Sequence, residues 1–235
     1  MYEIIENKIK QTNLKIGLIA ATFIDVGFGL KFLENKNIKG YGLSISKTPQ
    51  EQTELQVLNK SDLTAKVIQA INVLKTKQLD YVIIYCNSLS GAVDLNIIKK
   101  SISLPIVTPL DVYEKIALNY KTFSVFAANC QSLASIEQII FNKNKNAKII
   151  GFCNLNIVED IESNIEPEKI IEKYSLINLL NLTIKNDVEL VILGCTHFTY
   201  FYELLKDQLL IDVLEPSEKM LEIVYENINQ ESNKN

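Results

Sequence analysis

Short apolar runs alternate with longer amphipathic stretches along the chain. Lys15–Ala20, Tyr41–Ile45, Tyr81–Tyr85 and Leu104–Val107 are runs rich in Ile, Val, Leu and Tyr, the length and composition of buried strands. Lys60–Lys77 places Leu63, Val67, Ala70, Ile71 and Leu74 at three- and four-residue spacing, which predicts a helix with one buried face. The order then repeats. Thr122–Ala127, Ala147–Gly151, Glu189–Leu193 and Ile211–Leu214 read as strands, and Gln131–Phe141, Pro167–Ile184 and Ser217–Ile228 read as helices. Alternation of this kind predicts an α/β fold with mainly parallel sheets.

The two halves resemble each other. Ile16–Thr22 (IGLIAAT) and Phe123–Asn129 (FSVFAAN) are offset by 107 residues (123 − 16). Tyr81–Ser88 (YVIIYCNS) and Leu190–His197 (LVILGCTH) are offset by 109 (190 − 81), and Pro109 and Pro216 by 107 (216 − 109). A near-constant offset of about half the chain predicts two similar α/β lobes related by pseudo-two-fold symmetry. Residues 1–115 form the first and 116–216 the second, with the closing helix 217–228 a candidate to pack back on the first. The expected active site is the cleft between them.

Composition narrows the function. The 235 residues are 47% apolar and carry a formal charge of −4. All 24 basic residues are lysine, scattered without a basic stripe, which argues against nucleic acid as a partner and leaves no guanidinium to clamp a carboxylate. No uninterrupted apolar run approaches a membrane span, and Met1–Leu14 lacks the features of a secretory signal. The expectation is a cytoplasmic protein with no membrane partner. The four cysteines show no C-x-x-C spacing and there is one histidine, so no metal site is expected. Neither a phosphate-binding GxxxxGK[ST] loop nor a G-x-G-x-x-G fingerprint occurs, so no cofactor is expected either.

Each half places a cysteine just after its third strand, in Cys86-Asn87-Ser88 and Cys195-Thr196-His197. In open α/β sheets the carboxyl ends of the strands border the ligand crevice. Backbone N–H groups at a helix start there favour a thiolate or a carboxylate. Asn87, Ser88 and Thr196 add short-range donors suited to the α-groups of an amino acid. Racemisation needs a base on one face of a carbon and an acid on the other, and two opposed thiols meet that need symmetrically. Cys130 and Cys153 read instead as small buried hydrophobes.

The segments CNSLSGA and GCTHFTYF resemble the paired cysteine signatures of the aspartate/glutamate racemase superfamily, most nearly those of glutamate racemase, CNTAS and GCTHYP. The resemblance implies a cofactor-independent isomerase acting on a small amino acid, and a homodimer. It gives Cys86 the proton on the D-face of the substrate and Cys195 the proton on the L-face, with Asn87, Ser88 and Thr196 binding the α-groups. His197 would assist Cys195, and the segment Cys153–Asp160 would supply a helping glutamate, Glu159. The sequence also departs from the family. The strand–Asp–Ser–Gly turn of glutamate racemases is replaced by Ala20-Ala21-Thr22, with Asp25 a few residues on, and the Pro-Tyr-Gly turn is echoed by Thr48-Pro49-Gln50. Ala21, Thr22 and Thr48 are the matching substrate contacts. The arginine that aspartate racemases place on the side-chain carboxylate falls at Gln52, beside Thr53. Amides and hydroxyls at Thr48, Gln50, Gln52 and Thr53 match glutamate better than aspartate, and the implied purpose is D-glutamate for cell-wall peptidoglycan. The alternatives are a racemase for aspartate, another amino acid or a hydantoin, a maleate isomerase, and a non-catalytic small-molecule-binding module.

Overall fold

A computed structural model of the chain describes residues 2–10, 13–56 and 59–232, without the side chains of Gln52, Thr53, Gln56, Glu231 and Ser232. The chain divides into two units, Met1–Val112 with Ser217–Asn235, and Tyr113–Pro216.

The first unit contains β1 (Ile5–Glu6), β2 (Lys15–Ala20), α1 (Phe23–Asn35), β3 (Lys39–Ser44), α2 (Pro49–Gln56), α3 (Lys60–Leu74), β4 (Tyr81–Ile84), α4 (Asn87–Ala92), α5 (Leu95–Ser101) and β5 (Ile106–Val107). Helix α6 (Pro109–Ile116) carries the chain into the second unit. The strand order is β1-β3-β2-β4-β5, parallel throughout except for β1, which pairs antiparallel with β3. The predicted strands fall on β2 to β5 and the predicted helix on α3, whose Leu63, Val67, Ala70, Ile71 and Leu74 are all buried. Burial of a large aliphatic side chain contributes roughly 1.5–3 kcal/mol, so this face outweighs the weak helix propensity of its Val, Ile and Thr residues. Successive residues of a strand point to opposite faces. Ile19 packs into the cluster built by α3, whereas Leu18 meets α1 at Gly29. Covering both faces suits a parallel sheet.

Helix α1 is hidden in the sequence, because Asp25, Gly27 and Gly29 in IDVGFGL read as turn chemistry. Each glycine costs a helix about 1 kcal/mol against alanine. The helix forms because Thr22 caps it, accepting from the Asp25 N–H at 3.4 Å, and because Val26, Leu30 and Leu33 are buried. Gly29 has a packing reason as well: a Cβ there would lie 2.3 Å from Leu18 Cδ1.

The second unit contains β6 (Thr122–Ala127), α7 (Cys130–Lys143), β7 (Lys148–Cys153), α8 (Leu155–Glu162), α9 (Pro167–Lys173), α10 (Leu176–Ile184), β8 (Leu190–Gly194), a 3-10 turn (Thr196–Phe201), α11 (Tyr202–Gln208) and β9 (Asp212–Leu214). Its strand order is β7-β6-β8-β9, all parallel. The stretch Pro167–Ile184 is two helices, not one. Ser175 adopts a left-handed conformation with φ 48°, at a cost of about 1–2 kcal/mol. The break lets Ile170 and Ile171 on one side, and Leu176 and Leu180 on the other, be buried separately. The last helix, α12 (Pro216–Ser232), runs further than the expected 217–228. No Gly or Pro stops it, and Ile228 lines a cavity with Leu14, Leu79, Tyr81 and Leu104. Residues 233–235 lie outside the described residues. Among the described residues no helix is long and apolar enough to cross a membrane.

Candidate active site

In the first unit three turns follow neighbouring strands at the carboxyl edge of the sheet. Ala21 and Thr22 follow β2, Ser46–Thr48 follow β3, and Cys86–Ser88 follow β4. Backbone hydrogen bonds tie them into one edge: Ser46 N–H donates to Ala21 C=O at 2.9 Å and Tyr85 N–H to Ile19 C=O at 2.6 Å. Cys86 is extended and opens α4. Its sulfur accepts from the Leu89 N–H at 3.4 Å and lies 3.5 Å from the Ser88 hydroxyl, while its carbonyl accepts from the Ser90 hydroxyl at 2.7 Å. A backbone N–H aimed at sulfur stabilises negative charge on it. Asn87 is buried beside this thiol in sequence, and Ser88 is half-buried.

The residues around the first turn have structural duties. Thr22 is the α1 cap, and Asp25, fully buried, accepts from the Ala21 N–H at 3.4 Å. A carboxyl group thus reaches the Ala20-Ala21-Thr22 turn from one helical turn along. Thr48 is exposed and accepts from the Glu51 N–H at 3.1 Å, capping α2. Gln52 and Thr53 lie in α2 by their backbone, and their side chains lie outside the described residues. A cavity of about 630 Å³ opens at this edge, lined among others by Phe23, Ser44, Ser46, Lys47, Glu51 and Lys66.

In the second unit Cys195 directly follows β8 and opens the 3-10 turn that carries Thr196 and His197, all three buried. The turn is seated by aromatic stacking: Phe198 lies on Phe126 with centroids 4.7 Å apart, and on Phe201 at 5.2 Å. His197 Nδ1 stands 3.9 Å from the Cys195 sulfur, and Nε2 stands 2.9 Å from Glu162 Oε1. Donation from Nε2 to Glu162 requires the tautomer with the hydrogen on Nε2. In a neutral imidazole Nδ1 is then the acceptor, turned toward the thiol.

The glutamate that meets the histidine is Glu162; Glu159 is on the same helix, three residues earlier. The pattern of α8 contains the missed signal. Asn154 caps the helix, accepting from the Asn156 N–H, and Ile157, Val158 and Ile161 are buried. Glu162 lies one turn beyond Val158 on that inward side. Helix α8 is braced from α9, since the Lys173 ammonium reaches Asp160 at 2.6 Å and the Tyr174 hydroxyl donates to it at 2.9 Å. The Lys173 hydrogen bond, seconded by that of Tyr174, holds the Asp160 carboxyl below its usual range.

Cys130 and Cys153 are not the buried hydrophobes expected. Cys130 is exposed and Cys153 half-buried, because both lie at the rim of the second sheet, at the start of α7 and the end of β7. Among the described residues no cluster of three or more His, Cys, Asp or Glu side chains is placed to hold a metal ion.

No family model matches the chain, and no curated protein sequence matches it. Solved structures do. Glutamate racemase from Francisella tularensis, in complex with D-glutamate, superposes with a TM-score of 0.69 at 20% identity, over 94% of this chain and 82% of that one. Allantoin racemase from Klebsiella pneumoniae gives 0.69 at 12% identity over 93% and 89%. An aspartate racemase homologue from Pyrococcus horikoshii gives 0.63 at 12% identity over 90% and 97%. With its two α/β units and mainly parallel sheets, the chain has the fold of these glutamate and allantoin racemases and of the aspartate racemase homologue.

Proposed function

We propose that this chain is a cofactor-independent amino-acid racemase in which Cys86 and Cys195 serve one substrate, with glutamate as that substrate. The observation that carries the reading is a thiol within two residues of the end of the third parallel strand of each sheet, in a chain with a racemase fold. From the L-enantiomer, the Cys195 thiolate removes the α-proton and the Cys86 thiol delivers its own to the opposite face; the reverse reaction exchanges the roles. His197 sets up the thiolate by taking the Cys195 proton on Nδ1, and Glu162 stabilises the imidazolium that results. Charge that develops on the substrate carboxylate is met by donors at Asn87, Ser88 and Thr196, the kind of preorganised stabilisation on which proton abstraction at carbon depends. Lys47, on the cavity wall, is a candidate partner for the side-chain carboxylate.

The test is a chiral assay of the purified protein, without added cofactor, against L-glutamate, L-aspartate and a panel including hydantoins. Glutamate turnover exceeding aspartate turnover is expected. In heavy water the newly formed enantiomer should carry α-deuterium early while remaining substrate stays unlabelled, the signature of two bases. Faster aspartate turnover would move the substrate and leave the chemistry. Equal early labelling of both enantiomers would refute the two-base mechanism. Tight binding of an amino acid without turnover would favour a binding module.

A further inference from the structure

Two thiols outside the candidate site meet at the rim of the second sheet. Ala127 at the end of β6 pairs with Cys153 at the end of β7, and Cys130 begins α7 three residues after Ala127. The helix is seated closely on β7 because Gly151 has no side chain: a Cβ there would lie 2.7 Å from both methyl carbons of Leu133. That seating brings the Cys130 and Cys153 sulfurs to 3.1 Å. Closing to a bond of about 2.05 Å needs a movement of about 1 Å. Cys130 is open to solvent, whereas Cys86 and Cys195 are only 4% and 7% exposed.

We propose that Cys130 and Cys153 form a thiol–disulfide exchange site that takes low-molecular-weight disulfides and closes into a reversible intrachain disulfide. The Cys130 thiolate attacks one sulfur of R–S–S–R, the Cys130–S–S–R bond forms, and the first R–S⁻ leaves with the electron pair of the broken bond. Cys153 then gives up its proton and attacks the Cys130 sulfur, releasing the second R–S⁻. Two protein thiols are oxidised by two electrons, the small disulfide is reduced to two thiols, and the two protons pass to the departing sulfurs. Cys130 takes the first step because it is the exposed partner. Burial, and then the neighbouring Cys130, push the Cys153 thiol up to about 11, which keeps it protonated until the mixed disulfide is in place. Exchange of this kind is what an exposed, paired thiol undergoes where structural disulfides are rare. The inference does not depend on the racemase reading, and its readout is chemical.

The experiment incubates the full-length protein with oxidised glutathione, alkylates the remaining thiols after denaturation, and maps peptides by mass spectrometry. Loss of the mass of two hydrogens and a single linked peptide pair joining Cys130 to Cys153 are expected, with dithiothreitol restoring all four thiols. Cys153→Ser should stop at one glutathione on Cys130, and Cys130→Ser should react at least about ten-fold more slowly. Wild-type protein that accumulates glutathione on Cys130 without forming the linked pair, or that modifies Cys86 or Cys195 first, would overturn the proposal.

Discussion

The two units use the same strand order around their first, second, third and fourth parallel strands, and in each a cysteine follows the third within two residues. The groups that meet the two sulfurs are not the same. Cys86 is met by a backbone N–H and the Ser88 hydroxyl, Cys195 by an imidazole that a carboxylate orients. Topology therefore decides where each thiol stands, and the two residues after it decide which groups it meets. Asn-Ser gives the first thiol short-range donors. Thr-His gives the second a proton acceptor, held in place by a glutamate 35 residues earlier.

The comparison breaks first at the thiols. Cys86→Ala and Cys195→Ala should each lower racemisation by at least about 10³-fold, since each direction needs an acid and a base; near-normal turnover in either variant means the two thiols are not partners in one reaction. The seating of the turns differs too. Phe198→Ala removes the stacked ring under the second turn and should destabilise the protein by about 3–5 kcal/mol in urea unfolding. Glu162→Gln should lower kcat by about 10–100-fold and change the shape of the pH profile, because the amide can donate to Nε2 and reverse the tautomer that faces Cys195. Glu162→Gln with kcat and pH profile unchanged would reduce Glu162 to a packing residue. Ser88→Ala removes one donor to the substrate carboxylate and should lower kcat by about ten-fold with an unchanged pH profile; a shifted profile there would make Ser88 a proton partner of the first thiol and erase the contrast. Thr22→Ala, at the cap of α1 behind the first turn, should cost about 1 kcal/mol of stability.

The sequence exposed what depends on short-range chemistry. Ile16–Ala20, Tyr81–Ile84 and Leu190–Leu193 are apolar because both faces of a parallel sheet are covered, so they are visible as runs. The cysteines are visible because polar residues follow them directly. Features set by contact between distant segments are not visible. Gly29 reads as a breaker until Leu18 is seen against it, and Ser175 reads as mid-helix until its left-handed turn is seen. Glu159 and Glu162 both lie in an amphipathic stretch, and the choice between them depends on where Asn154 starts the helix and on where His197 arrives. Cys130 and Cys153 lie 23 residues apart in sequence, and their meeting needs the descent of α7 onto Gly151.

Helix α12 belongs to the first unit although its residues come last among those described. Its Met220, Leu221 and Val224 are buried, Ser217 shares a hydrogen bond of 2.7 Å with the Tyr85 hydroxyl, and Glu218 pairs with Lys36 at 2.6 Å. Synthesis runs from the amino terminus, and contiguous domains fold as they emerge. Here the ribosome finishes the whole of the second unit before it has made the helix that completes the first. The nascent first sheet must wait, with the Tyr85 hydroxyl and its apolar surroundings lacking Ser217 and the helix, until nearly all of this sequence has been translated. Because Tyr85 directly precedes Cys86, the surroundings of the first thiol are finished only after the whole of the second unit.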